Sequence, residues 1–129
     1  MTDRPTPPDD PLVRPLVRPL VRQIVAEFAP LRVVLFGSRA AGTARPDSDV
    51  DLLVVMPDGT PRRRAMVEIG ARLPILDVDV DLLVTTPTVL VQHGANPGLV
   101  YREILRTGRT LYAADAPTGP VAAYSDAAL

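Results

Sequence analysis

Two spacings of apolar residues alternate along the chain, and the switches between them mark out helices and strands. Leu20, Ile24 and Phe28, with Val21 and Val25 beside them, recur at the three- and four-residue intervals of a helix with one buried stripe. Upstream, PLVRPLVRPLVR from Pro11 to Arg22 is a near-repeat in which Pro15 and Pro19 oppose an uninterrupted helix. The helix is therefore expected to start near Pro19, because a first-turn proline loses no helical hydrogen bond, and to run through Phe28. Leu31 to Phe36 reads as a β-rich strand closed by Gly37-Ser38, followed from Arg39 to Ser48 by a loop with a short helical piece. Val50 to Met56 reads as a second strand with Val50, Leu52, Val54 and Met56 on one face and Leu53 and Val55 on the other, the pattern of a strand covered on both sides.

Pro57-Asp58-Gly59 predicts a turn, and Pro61 to Leu73 a helix with Met66, Ile69 and Leu73 inward. Arg62, Arg63 and Arg64 stand near its start, where they oppose the macrodipole and are expected to be simply solvated. Asp77 to Thr85 predicts a third strand, again apolar on both faces after its acidic opening. A helix is expected from Pro87, broken at His93 to Gly98, then another from Leu99 to Arg106 that Gly108 stops, and a short strand from Thr110 to Tyr112. Strands alternating with helices make this an α/β chain. Its expected organisation is a Pro-rich flexible lead-in over residues 1–18, a domain over 19–112 and a flexible tail over 113–129.

Composition removes several function classes. With 14 basic and 15 acidic residues the formal charge is −1, so no basic footprint points to nucleic acid as the main partner. Aromatic content is 4% with no Trp, which leaves no platform for stacking bases. No cysteine is present, which excludes disulfides and thiolate sites and suits a reducing compartment. No apolar run approaches the roughly 20 residues of a membrane span, so the expected location is the cytoplasm.

The chemistry concentrates in aspartates at strand openings. Asp49 and Asp51 are two apart, so on a strand both point to one face, about 6 to 7 Å apart. Asp79 and Asp81 repeat that relation, and pairing of the two strands would gather up to four carboxylates. Charges that close raise one another's pKa unless a cation compensates. Asp51 in VDLLVVM and Asp81 in VDLLVTT sit inside apolar runs, where a bare buried carboxylate costs several kcal/mol. Magnesium, which prefers hard oxygen ligands, would relieve that cost, and Asp49, Asp51 and Asp81 are the candidate ligands. Carboxylate-held cations serve phosphoryl chemistry, with Asp81 placed to act on an incoming hydroxyl. Gly37, Ser38 and Arg39 supply a candidate phosphate side: glycine for close backbone approach, then hydroxyl, amide and guanidinium donors. No GxxxxGK[ST] or GxGxxG stretch is present, which disfavours P-loop and dinucleotide folds.

GSRAAGTARPDSDVDLLVV, Gly37 to Val55, closely resembles the signature of the minimal nucleotidyltransferases of the DNA polymerase beta superfamily: a Gly-Ser turn, a short loop, two aspartates one residue apart and an apolar strand. The later VDLLV strand carries the match to the third carboxylate, Asp81, with Asp79 as second candidate, and YREILRTGRTLY looks like the closing helix and strand. The likeness spans roughly Leu20 to Tyr112 and implies a polymerase-beta-like fold, a small mixed sheet packed against helices. Ala41 departs from it, standing where many relatives have a second arginine, which puts nucleotide affinity in doubt. The resemblance implies an ATP-using enzyme with two magnesium ions that transfers AMP to a tyrosine hydroxyl of a HEPN-type toxin, an antitoxin acting in a homo- or hetero-oligomer. The alternatives are an antitoxin that neutralises by contact alone, and transfer to a small molecule such as an aminoglycoside, for which no second sugar-enclosing domain is evident. His93, the only histidine, is read as structural or solvent-facing, since one imidazole makes no cluster.

Overall fold

The computed structural model describes residues 13–93, 104 and 108–114. A five-residue π-helical turn, Val13–Val17, leads into α1, Arg18–Phe28. Pro19 falls in the first turn of α1, where its missing amide costs nothing, and Ala29 ends the helix in the left-handed conformation with its amide on the Val25 carbonyl. Then follow β1 (Arg32–Phe36), α2 (Ser38–Ala41), β2 (Val50–Val55), α3 (Arg62–Arg72), β3 (Val80–Thr85), α4 (Pro87–His93) and β4 (Arg109–Ala113).

The four strands form one mixed sheet in the order β3-β2-β1-β4. β1 pairs antiparallel with both β2 and β4, with a register shift against β4 between Val33 and Val34, whereas β2 and β3 are parallel. A parallel neighbour requires a crossover, and α3 provides it. The sheet has two unequal faces. On one, Val33, Leu35, Val50, Leu52 and Val54 pack with Val17, Val21 and Ile24 from the amino-terminal helix and Ala65 and Ile69 from α3. On the other, a smaller group of Val34, Leu53, Val55 and Ile104 is joined by the partly buried Phe36, Leu83 and Leu90. Period-two alternation along β1 and β2 divides the residues between these faces, and odd-numbered Asp51 falls on the smaller one.

Several expectations are corrected here. The packed unit begins before residue 19, because Val17 is fully buried, and it extends through Ala113, which closes β4. On α3 the inward residues are Ala65 and Ile69, while Met66 is exposed: the buried stripe is rotated by one position. β3 starts at Val80 and is an edge strand, so it lacks the double cover expected of it and Asp81 is exposed. Arg62, Arg63 and Arg64 are exposed, as expected. Ile104 is helical and buried; the rest of the helix expected over Leu99 to Arg106, the break after His93, the side chain of His93, the lead-in before Val13 and the tail after Ala114 lie outside the described residues. Among the described residues no helix is long and apolar enough to cross a membrane.

α4 is fastened at its start by two side chains. Thr86 Oγ1 accepts from the Val89 amide at 3.4 Å, and Asp58 Oδ1 accepts from the Thr88 amide at 3.0 Å, which holds the Asp58 carboxyl below its ordinary pKa. The turn after β2 is thereby tied to the helix that helps cover the smaller face.

Candidate active site

The site is built where β1 ends and β2 begins. Phe36 lies opposite Asp51 in the antiparallel register, and the next residue, Gly37, turns the chain with φ +75°. A Cβ at Gly37 would collide with the Asp51 carboxylate, so glycine is required both by the backbone conformation and by the acid packed against it. The carbonyl of Gly37 accepts from the amides of Ala40 and Ala41 to make the single turn of α2, and Gly42, at φ +82°, ends it. The chain then returns through residues 43–48, with the Thr43 amide on the Ser38 carbonyl at 3.0 Å, and delivers Asp49 to the head of β2.

Parallel pairing sets Asp51 directly beside Asp81, and the Val50 amide donates to the Asp79 carbonyl at 2.9 Å one step earlier. Asp51 is half-buried, while Asp49 and Asp81 are exposed at the rim. Desolvation, then repulsion from Asp81, a hydrogen bond with it and repulsion from Asp49 push the Asp51 carboxyl up to about 6. Asp49 is raised as well, by desolvation first, then by Asp81 and Asp79, with Arg39 opposing. Asp81 thus acts on both other carboxyls, a crowding of like charge that a proton or a cation between them would relieve. The donor set is all hard oxygen and carries excess negative charge, the chemistry a magnesium ion matches. Among the described residues the side chains do not converge as a ready-made set of three ligands.

Residues 18–106 match the family model described as "Nucleotidyltransferase domain". The chain belongs to that family. Its fold is shared with a candidate nucleotidyltransferase from Sulfolobus solfataricus, at 19% identity and TM-score 0.58 over 81% of this chain and 84% of that one. A toxin–antitoxin structure with AMP-PNP is similar at 27% identity and TM-score 0.53, covering 78% of this chain and 76% of that one. A mutant of the toxin–antitoxin pair MntA-HpeT is similar at 27% identity and TM-score 0.50, covering 75% and 72%. No curated protein sequence matches.

Against this nucleotidyltransferase frame, the residues singled out by sequence take different places. Gly37, Asp49, Asp51 and Asp81 come together at one end of β2. Ser38 opens α2 beside them, half-buried. Arg39 does not reach outward for a phosphate: its side chain is buried and its guanidinium donates to the carbonyls of Arg45, Pro46 and Ser48. Position 39 on the short α2 faces back into the loop. Ala41 is exposed. Ser48 escaped notice in the sequence; its hydroxyl accepts from the Arg45 amide at 2.8 Å and its own amide donates to the Arg45 carbonyl at 3.0 Å, closing a tight turn one residue before Asp49. The Arg45-Pro46-Asp47-Ser48 string carried the signal, being turn-forming residue types ahead of a strand.

Proposed function

We propose that this chain is a magnesium-dependent nucleotidyltransferase of the cytoplasm that moves AMP from ATP to a tyrosine hydroxyl of a HEPN-type toxin, and so acts as an antitoxin. The observation that carries the reading is the register that sets Asp51 beside Asp81 with Asp49 at the same strand opening. The toxin–antitoxin neighbours, one of them with AMP-PNP, support the nucleotide and the class of partner.

Asp49, Asp51 and Asp81 would hold the metal, which when bound supplies charge neutralisation for the triphosphate. Gly37 lets the backbone approach the phosphates closely, and the Ser38 hydroxyl is a donor beside it. Asp81, exposed on the edge strand, is open to the acceptor and takes the proton from the attacking hydroxyl. The hydroxyl oxygen bonds the α-phosphorus, the bond from that phosphorus to the bridging oxygen breaks, and pyrophosphate leaves. Asp51 stays where it is because Gly37 backs it and β1 and β3 flank it.

The test is transfer of an α-phosphate label from ATP to a co-purified partner in the presence of magnesium. Asp49→Asn with Asp51→Asn should lower transfer by at least about 10³-fold with the fold retained. Equal labelling by the double variant would overturn the reading. A second reading, neutralisation by contact alone, draws on one feature: position 41 is alanine, so that side chain lends no positive charge. It predicts equal inhibition of the toxin with and without ATP.

A further inference from the structure

The most unusual buried group of the described chain is the guanidinium of Arg39. Only 4% of the residue is exposed, although arginine is almost never placed inside without a specific set of partners. Among its partners are backbone oxygens from one short loop. Nη2 donates to the carbonyl of Ser48 at 2.7 Å and to those of Arg45 and Pro46 at 3.2 Å, and Nε donates to Ser48 again at 3.2 Å. Three carbonyls that would otherwise splay toward water are gathered onto one planar cation, within the turn that Ser48 Oγ already closes. Residue 48 is joined covalently to Asp49.

We propose that Arg39 is a positioning residue: by clasping the carbonyls of Arg45, Pro46 and Ser48 it fixes the loop that presents Asp49 to the metal and nucleotide. The inference rests on the proposed function for the identity of what Asp49 holds. The clasp itself is independent of it. Desolvating a charge is costly, and the cost is offset here only because a fork-shaped donor meets several acceptors at once. Lysine has no such fork: one ammonium could stand in for Nη2 among the carbonyls, but nothing in it replaces the second contact, from Nε to Ser48. The charge also favours the anion of Asp49, against desolvation and the neighbouring acids, which raise that carboxyl. Arg39 thus acts through the backbone of the loop, and the first carboxylate of the motif is held by a residue ten positions earlier.

The experiment compares Arg39→Ala, Arg39→Lys and Ser48→Ala with the unaltered protein in three measurements. Amide hydrogen exchange over residues 43–49 reads the loop, Mn²⁺ binding by electron spin resonance reads the carboxylates, and ATP binding without divalent metal reads direct phosphate contact. Both Arg39 variants should speed exchange in that loop and leave the strands protected. They should weaken Mn²⁺ by about 10- to 100-fold, the usual cost of losing an outer-shell support. Metal-free ATP binding should not change. Ser48→Ala should move exchange and Mn²⁺ affinity in the same direction by less, and it keeps the question open to test if an Arg39 variant fails to fold. Unchanged loop exchange would overturn the inference. So would a loss of metal-free ATP binding that Arg39→Lys restores, since that identifies a phosphate contact through charge. If the unaltered protein binds no Mn²⁺, the proposed function falls, and loop exchange alone then decides the clasp.

Discussion

Among the described residues the two faces of the sheet are packed by side-chain groups of different size, and the smaller group is the one on the side of the acids. One face meets α1, the turn before it and α3, and buries a continuous aliphatic layer from Val17 to Val84. The other is covered among the described residues by a handful of side chains around Val34, Leu53 and Ile104, and it is this face that carries Asp51. A thick layer on both sides would leave the carboxylates no opening. A thin one on both would leave little apolar burial to hold a chain of this size. The site lies at the end of the face that carries Val34 and Leu53, backed by the larger described cluster.

Truncating one residue on each face should break the comparison or sharpen it. Leu52 and Leu53 are neighbours on β2, both fully buried, and point to opposite faces. Leu52→Ala should cost about 3–5 kcal/mol and Leu53→Ala about 2–3 kcal/mol, because the described cluster around Leu53 is the smaller. Urea unfolding measures both, and a larger loss for Leu53 would reverse the assignment of the supporting face.

Gly37→Ala strains a positive-φ, extended-ψ backbone that is essentially reserved to glycine, by about 1–3 kcal/mol, and drives a methyl group into the Asp51 carboxylate. Label transfer should be lost in that variant while it still melts cooperatively. Full activity would show that the turn can shift without moving the acid.

Asp51 itself gives an effect with a definite sign. Its folded-state pKa of about 6 lies above the ordinary 3.8, so the folded protein binds more protons than the unfolded one between those values. Stability from this group is highest at acid pH and is lost as pH rises through about 6. Asp51→Asn should therefore raise metal-free stability at about pH 7.5 by about 1 kcal/mol, after screening at a partly solvated site is allowed for, and the gain should vanish near pH 3.5. Thermal melts across that range check it, and a gain independent of pH would trace the effect to packing instead.

The smallest effect belongs to the surface of the face with the larger described cluster. Arg72 pairs with Glu27 at 2.8 Å between α3 and α1, with Arg72 well exposed, so Arg72→Ala should cost no more than about 0.5 kcal/mol. Chemical denaturation suffices to measure it. A cost above about 1.5 kcal/mol would mean that the two helices depend on this pair more than on their buried stripes.

Much of the fold was legible because local patterns and burial agree. The apolar run Val50 to Val55 reads as a central strand and is one, and Pro19 marks the first turn of α1. Asp51 could be singled out for the same reason: a charge in such a run needs an explanation. Asp81 sits in a nearly identical run, yet β3 lies at the sheet edge and the residue is exposed, so similar strings of residues carry different burial. Met66 shows the same limit on a helix, where spacing alone permits more than one inward stripe.

What the chain's residues determined unaided was the alternation of helices and strands, the glycine turn and the identity of the acids, because these follow from backbone sterics and side-chain period. Strand order and the parallel seating of Asp51 beside Asp81 were decided only by the assembled sheet. Those are relations between segments distant in the chain, and neither local propensity nor spacing within one segment contains the energy of packing one against another.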